Sequence, residues 1–254
     1  KKGHEAFLHG MIAITNKDYS RAIAESKKAD KYLQDNSLSL LLKAESLKIQ
    51  NQNDDLYQVY ETMLKNPNTY SLGLRGLMQQ NLRSQDYHHA YIYAEKLFND
   101  NPRIDKLYDT ITNIISKTSN WQKLIEITDN AYKKRIIDKK QYSENKSIAL
   151  FEIAKIKYLT SLDETIKLVE QSLKLKEFFQ PFVSFYIDIL ISSKKYNKAK
   201  KYLIKAWSHS PHTKLKDDIK KLSKVMKISY LEIAKLCKSN SNAEYETKIL
   251  MTES

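Results

Sequence analysis

A spacing of 34 residues recurs along the first half of the chain and constrains its fold more than any other feature. Three columns of residues keep this interval without an insertion. The first column follows a polar turn and comprises Tyr19, Asn53, Tyr87 and Trp121. The second lies three positions later and comprises Ala22, Leu56, Ala90 and Leu124. The third comprises Ala29, Met63, Leu97 and Ala131. Such a period indicates tandem structural repeats.

Thirty-four residues accommodate two helices of about three to four turns, A and B, with two tight turns. The aromatic residue after the first turn is predicted to begin helix B, and the small residue three positions later to face helix A. Gly10 and Ala44 hold matching small positions on helix A, while Pro67, Pro102 and Pro211 follow helix B, where a residue without an N–H group can end a helix. This is the tetratricopeptide (TPR) pattern. One hairpin cannot bury its apolar face alone, so the hairpins must stack.

The sequence therefore predicts an all-α fold, a TPR-type α-α superhelix of about six repeats and a partial seventh, forming a single domain over residues 1–254. Only four Gly and four Pro are present, too few for the turns of a sheet protein. The predicted repeats span residues 4–36, 37–68, 69–102, 103–135, 144–176 and 179–211, with C-terminal helices and the start of a further repeat in 213–254.

The repeat slips after Ala131. The basic stretch Tyr132–Ser143 is predicted to be an extended helix B or a short insertion, and it could be a hinge, although one continuous superhelix is expected. Helix A is predicted to resume near Glu144. Ile166 then takes the small-residue position, 42 residues after Leu124, so that this repeat has about eight extra residues. Asn240–Ser254 is expected to begin the further repeat.

The formal net charge is +13, and all but five of the 43 basic residues are Lys. Three Lys-rich runs, 133–140, 194–201 and 214–227, lie at helix ends or on helices with an apolar face, so solvated surfaces are expected. An anionic membrane surface and nucleic acid are the alternatives. Nucleic-acid readers favour Arg, so no nucleic-acid partner is predicted. The single cysteine, Cys237, excludes an internal disulfide and fits a reducing compartment.

No catalytic, cofactor or metal site is predicted, and the chain is not expected to be an enzyme. His209 and His212 are three residues apart, but Pro211 at a helix end removes the shared helical face that a metal site needs. Gly73 and Gly76 fall inside a helical pattern and form no phosphate loop. A solenoid groove is also usually open to water, unlike a buried catalytic site.

Function is expected in the groove that the A helices line. Counting back from the small-residue positions gives a partner groove of Phe7, Met11, Leu41, Glu45, Lys48, Arg75, Gln79, Arg83, Asp109, Asn113 and Lys117. Chaperone-binding TPR proteins hold a terminal carboxylate with Lys, Asn and Arg in such positions. The corresponding positions here include Phe7, Met11, Leu42, Leu72 and Gly76, so that clamp is absent.

A more specific resemblance is carried by the string Leu72–Leu77 (LGLRGL) and by the Trp-x-x-x-Pro-His string that ends at His212. Leu40–Ala44, Tyr60–Leu64 and Asn120-Trp121 belong to the same series. Over roughly Ala6–His212, the chain resembles the soluble C-terminal TPR region of HemY-type inner-membrane proteins of proteobacteria.

The resemblance implies a bacterial inner-membrane location through two transmembrane helices upstream of Lys1, with the present region on either side and the cytoplasmic side favoured by the single cysteine. It also implies a non-catalytic scaffold in a late step of protohaem biosynthesis, with haem-pathway enzymes as partners. One alternative is a haem or porphyrin carrier, for which His9, Met11, Tyr87 and His88 are conceivable ligands. Another is a generic envelope-assembly TPR adaptor.

Overall fold

A computed structural model of the chain describes residues 1–239, and within that range it contains fourteen α-helices and no strand. The fold is all-α and of the TPR type, as the sequence predicted. The predicted beginning of a further repeat at Asn240–Ser254 lies outside the described residues. The helices are α1 (Lys2–Thr15), α2 (Tyr19–Tyr32), α3 (Ser37–Ile49), α4 (Asn53–Met63), α5 (Tyr70–Arg83), α6 (Tyr87–Asp100), α7 (Leu107–Lys117), α8 (Trp121–Lys133), α9 (Lys139–Lys157), α10 (Leu162–Leu175), α11 (Gln180–Ser192), α12 (Tyr196–His209), α13 (Thr213–Met226) and α14 (Tyr230–Ser239).

The chain divides into two compact units, unit 1 with residues 1–119 and unit 2 from residue 120 onward. In unit 1, α1 packs against both α2 and α3, and each later helix packs against the next up to α7. In unit 2, α11 packs against α12 and α13, and α12 packs against α14. The α1–α3 and α11–α13 contacts join consecutive A helices, and the α12–α14 contact joins consecutive B helices, which is how stacked hairpins share a core. The single predicted domain and its repeat boundaries stay a prediction.

The three 34-residue columns are explained by the positions of the B helices. The first column supplies the first residue of α2, α4, α6 and α8. The second and third columns are buried at every position, with exposed fractions of 5% or less. The side chains of Asp18, Asp86 and Asn120 accept hydrogen bonds from the third N–H group of the helix that follows, which satisfies a donor that the helix itself leaves free. The interval is therefore a repeat of capped helix starts and buried contacts.

The turn between helix A and helix B of a hairpin, here called the A–B turn, also repeats. Its middle residue has a left-handed backbone at Lys17 (φ 62°), Asn51 (57°), Gln85 (60°), Ser119 (54°) and Lys194 (56°). In the first turn, Lys17 N–H donates to the Ile14 oxygen (2.9 Å) and Asp18 N–H donates to the Ala13 oxygen (2.8 Å). This pair of bonds is the Schellman motif that ends helices, usually with glycine. None of the five residues is glycine.

The 34-residue interval returns in unit 2, where α10, α12 and α14 begin at Leu162, Tyr196 and Tyr230. The buried residue three positions after each start is Thr165, Ala199 or Ile233. The prediction that Ile166 takes this position is therefore wrong, although Ile166 is also buried. Threonine carries a hydroxyl group, so a search for small and apolar residues did not select Thr165.

The extra residues of this repeat lie largely in α9, which is the longest described helix, with 19 residues. It begins at Lys139, before the predicted Glu144, because the side chain of Asp138 caps it by accepting a hydrogen bond from Gln141 N–H at 2.7 Å. Ile137 is buried between α8 and α9. The basic stretch 132–143 is thus the end of one helix and the beginning of the next.

Candidate functional site

A cleft of about 220 Å³ opens between two A helices of unit 1, and we call it the A-face cleft. Helix α3 contributes Leu41, Glu45 and Lys48, and α5 contributes Leu72, Arg75 and Gln79. Tyr60 and Met63, from helix α4, also line it. The cleft therefore combines a tyrosine ring and aliphatic side chains with charged groups.

Two glycines of α5 let Tyr60 reach this position. A Cβ atom on Gly76 would lie 2.4 Å from the Tyr60 ring, and a Cβ atom on Gly73 would lie 2.8 Å from the Tyr60 main-chain oxygen. Both distances are shorter than real contacts allow. Helix α5 can therefore lie against α4 at this point only because both positions lack a side chain.

Charges of both signs surround the Tyr60 ring. Burial raises the pKa of Tyr60, Glu45 raises it further, and Arg83 lowers it. Glu45 Oε1 lies 3.5 Å from Lys48 Nζ, and both side chains are about 40% exposed. Among residues 1–239, the exposed Arg75 guanidinium has no hydrogen-bond or ion-pair partner. Arg75 is therefore available to bind an anionic group.

A second cleft, of about 350 Å³, lies on the other side of α5, where α7 follows. Arg75 and Gln79 line it as well as the A-face cleft, so the two clefts adjoin through these side chains. Its further lining residues are Met78, Leu97, Ile104, Asp105, Lys106, Leu107 and Thr110. The A helices of unit 1 thus present a continuous row of two depressions that Arg75 separates.

The structure brings together five of the eleven predicted groove residues, namely Leu41, Glu45, Lys48, Arg75 and Gln79. Arg83 lines a different depression, of about 400 Å³, with Asn53, Tyr57 and Gln80. The remaining predicted residues lie on α1 and α7, where Phe7 is half-buried and Met11, Asp109, Asn113 and Lys117 are exposed. Whether any of the eleven contacts a partner stays a prediction.

Sequence reasoning missed Tyr60 and Met63, because it assigned the groove to the A helices alone. The sequence feature that could have indicated Tyr60 is the pair of glycines inside the helical pattern of α5, Gly73 and Gly76. A glycine within a helix often marks a close approach, and here the approaching group is the Tyr60 ring.

The histidines and the cysteine considered for metal or haem have other surroundings. The His209 ring stacks on Phe178 with centroids 4.4 Å apart, and His212 Nδ1 accepts a hydrogen bond from Lys214 N–H at 3.2 Å. Burial raises the pKa of the Cys237 thiol to about 12. Residues 1–239 contain no group of three or more His, Cys, Asp and Glu side chains placed to hold a metal ion.

The residues named as conceivable haem ligands lie on two helices. His9 and Met11 are exposed on α1, whereas Tyr87 and His88 form the first turn of α6. Within the described part of the chain, no helix combines the length and the apolar character that a membrane span requires.

Comparisons with known proteins find matches among solved structures only. No protein-family model matches the chain, and no curated protein sequence matches it significantly. The chain is similar to the crystal structure of a tetratricopeptide repeat protein from Parabacteroides merdae, at 13% identity over 98% of this chain and 97% of that one, with a TM-score of 0.47. It is also similar to the TPR2AB domain of yeast Sti1 in a complex with pHSP90, at 13% identity over 97% and 98%, with a TM-score of 0.40. At these scores, the TPR assignment rests on the helix geometry described above.

Proposed function

We propose that unit 1 is a non-catalytic binding module that holds a segment of a partner protein across its A helices. The A-face cleft would take one apolar side chain of that segment against Tyr60, and Arg75 would pair with an acidic side chain next to it. The observation that carries the proposal is the unpartnered Arg75 guanidinium between two adjoining clefts. Such a site combines an aromatic contact surface with a charged group that sets orientation.

The size of the A-face cleft favours a protein side chain over a small molecule. Its volume of about 220 Å³ lies below the range of about 300–1,000 Å³ that is usual for small-molecule sites. The neighbouring cleft of about 350 Å³ gives a second contact for the same partner. Two adjoining contacts along a row of helices suit an extended or helical segment, whose successive side chains enter successive depressions.

The charges favour an acidic residue in that segment. Lys48 is partly neutralised by Glu45, whereas Arg75 is not paired by any described residue. A guanidinium that can bind a carboxylate through two parallel hydrogen bonds gives direction as well as affinity. An acidic side chain therefore fits this position better than a basic one.

A peptide array provides the test. The 254-residue chain would be incubated with immobilised random peptides, and binding is expected to concentrate on peptides that place an acidic residue near an aliphatic one. Arg75→Glu should abolish this preference, because it replaces the guanidinium with a charge that repels the ligand. Arg21→Glu, on the exposed face of helix α2, serves as the matched control and should bind as the unchanged chain does. Equal binding by both variants would contradict the proposal.

The haem-pathway role is a finer proposal that rests on the sequence resemblance alone. It places the chain at a bacterial inner membrane, with haem-pathway enzymes as the partners of the same groove. A pull-down of those enzymes that is lost with Arg75→Glu would support it. The carrier alternative predicts a Soret shift that saturates at one haemin per chain, and a featureless rise would exclude it. The envelope-adaptor alternative predicts neither result.

A further inference from the structure

The A–B turns of unit 2 lie side by side along one edge. Tyr158, the residue that follows α9, has its hydroxyl 3.1 Å from Ser192 Oγ at the end of α11. Lys195, in the next A–B turn, has its Nζ 3.1 Å from Asp163 Oδ1 at the beginning of α10. These contacts join the α9–α10 turn to the α11–α12 turn.

The third turn, between α13 and α14, continues the same edge. A cleft of about 380 Å³ is lined by Lys194, Lys195 and Lys198 from one side and by Val225 and Met226 from the other. Val225 and Met226 are the last two residues of α13. We therefore define the turn edge as residues 155–162, 194–195 and 224–227.

Aliphatic side chains project from the turn edge into solvent. Leu159 is 89% exposed and Ile156 is 62% exposed, while Val225 and Leu162 are 41% and 36% exposed. Leu159 has the largest exposed fraction of any large hydrophobic residue in the described chain. In unit 1 the loop residues of the A–B turns are polar, as in Asn16–Asp18 and Ser84–Asp86, and Ile49 at the end of α3 is an exposed aliphatic residue beside one of these turns (43%). Exposed apolar side chains grouped in this way mark an interaction surface.

Lysines alternate with these aliphatic residues. Lys155 and Lys157 pair with Glu152 (2.7 Å) and Glu164 (3.4 Å), and both lysines remain over 40% exposed. The side chains of Lys194, Lys224 and Lys227 have no partner among the described residues. The surrounding unit is strongly basic, since residues 120–239 contain 26 Lys and Arg against 13 Asp and Glu. The edge therefore has a net positive charge beside its apolar groups.

We propose that the turn edge docks unit 2 onto an anionic lipid surface. Ile156 and Leu159 would enter the boundary between headgroups and acyl chains, while the lysines would lie among anionic headgroups. Interfacial membrane binding combines these two contributions, apolar burial and attraction of Lys and Arg to anionic lipid. Single-stranded nucleic acid would instead be expected to meet aromatic side chains for stacking, whereas the projecting groups here are aliphatic. The proposal does not depend on the groove of unit 1.

Vesicle sedimentation tests the proposal. The 254-residue chain is expected to sediment with phosphatidylcholine vesicles that contain about 30% phosphatidylserine, and to remain in solution with pure phosphatidylcholine. Raising the salt concentration should weaken the binding, because it screens the exposed lysines. Absence of binding to the anionic vesicles at low salt would overturn the proposal.

Two pairs of variants separate the contributions. Ile156→Asn with Leu159→Asn should weaken vesicle binding roughly tenfold or more, because two aliphatic side chains no longer leave water. The control pair Leu8→Asn with Ile12→Asn changes two similarly exposed residues of unit 1 (59% and 58% exposed) and should leave binding unchanged. Lys194→Glu with Lys227→Glu should weaken it at least about fivefold per lysine. Its control is Lys27→Glu with Lys96→Glu, two exposed lysines of unit 1.

Two further results would decide against a lipid surface. If the control pairs weaken vesicle binding as much as the turn-edge pairs, net charge or general hydrophobicity is responsible and the turn edge is not. If the chain binds single-stranded RNA more tightly than vesicles, and Lys194→Glu with Lys227→Glu weakens that binding while Ile156→Asn with Leu159→Asn does not, the turn edge is a nucleic-acid surface. Insertion itself is measured with Leu159→Trp, whose fluorescence should shift to shorter wavelength on anionic vesicles and would stay unshifted if the residue does not enter the lipid.

Discussion

Residues 1–119 contain 16 Lys and Arg against 14 Asp and Glu, whereas residues 120–239 contain 26 against 13. Both units nevertheless repeat helix B at the same 34-residue interval. Their cores also differ. Unit 1 buries Phe98 and Tyr108 among its alanines and aliphatic residues, whereas unit 2 buries Phe182, Tyr186 and Trp207, the largest fully buried side chain of the described residues. The interval depends on a few buried positions and turn hydrogen bonds, so the rest of each unit is free to diverge. That freedom gives unit 1 a mixed groove and unit 2 a basic edge.

The largest expected effect is the loss of the Trp207 side chain. Trp207 is 1% exposed in the core of unit 2, and Trp207→Ala should lower the free energy of unfolding by about 3–5 kcal/mol. Urea denaturation measures the loss. Trp121→Ala, at a half-buried tryptophan in the first turn of α8, is the control and should lower it less.

Hydrogen exchange on the same variant sharpens the comparison of the units. Amides of α12 and α13 should exchange faster in Trp207→Ala, while those of α3 and α5 in unit 1 keep their protection. Equal acceleration in both units would show that they unfold together, and the contrast between their cores would then have no energetic meaning.

Gly76→Ala should destabilise unit 1 by about 1–3 kcal/mol, because its Cβ atom would overlap the Tyr60 ring. At an open helical position the same change would be stabilising by about 1 kcal/mol, so the sign of the effect reports the packing. The double variant Tyr60→Ala with Gly76→Ala removes the overlap and should show strong coupling in a double-mutant cycle. Additive effects would indicate that α5 does not depend on the glycine there.

Glycine substitutions in two A–B turns test the contrast between the turns. Gln85→Gly should stabilise the chain by about 0.5–1 kcal/mol, because Gln85 has a left-handed backbone that only glycine adopts without strain. Leu159 is not among the residues with positive φ. Leu159→Gly should therefore be destabilising by up to about 1 kcal/mol, through the greater freedom of the unfolded chain. Thermal unfolding of both variants gives the comparison, and a gain at both positions would refute it.

The smallest expected effect is a difference in pH dependence. Hydrogen bonds from Ser37, Asn66 and Asn68 lower the pKa of Asp35, in unit 1, to about 2. Its stabilising contribution is therefore complete above the unfolded pKa of about 4 and is lost as the pH falls towards 2. Asp35→Asn should lower the midpoint of urea unfolding at pH 7. The difference in midpoint between this variant and the unchanged chain should become smaller as the pH falls.

Asp218 of unit 2 provides the opposite case. Burial is the main cause that raises its pKa, and the hydrogen bond from Ser184 acts against it. A carboxyl group with a raised folded pKa contributes stability below the unfolded value of about 4 and loses it as the pH rises through the folded pKa. The free energy of unfolding of Asp218→Asn should therefore rise relative to that of the unchanged chain between pH 4 and pH 7. The same pH slope for both variants would contradict this contrast.

The helix pattern could be predicted because it depends on local periodicity. The pattern of polar turns, aromatic residues after them and buried columns predicted where the B helices begin. Helices α2, α4, α6 and α8 do begin at the predicted residues, Tyr19, Asn53, Tyr87 and Trp121. The A–B turns were less predictable in detail. The residue types at Lys17 and Gln85 do not predict a left-handed backbone, because the main-chain hydrogen bonds of the turn impose it.

Features that depend on contacts between distant residues were beyond the sequence pattern. The position of Tyr60 under α5 requires knowing which face of α4 meets Gly73 and Gly76. Thr165 was missed because a residue with a hydroxyl group was not expected at a buried position. The hydroxyl can be buried there because it donates to the Ser161 main-chain oxygen at 2.7 Å. The exposure of Leu159 was likewise missed, because an aliphatic residue beside a helix end is normally assigned to the core.

The buried state of Cys237 makes the chain a convenient scaffold for spectroscopic labels. Its thiol is inaccessible and its pKa is raised to about 12, so maleimide reagents at neutral pH should leave it unmodified. Residues 1–254 contain no other cysteine. A single cysteine introduced at Lys17, Asn51 or Gln85 would then carry the dye alone, at anchor points whose backbone is fixed and whose spacing along unit 1 is uniform.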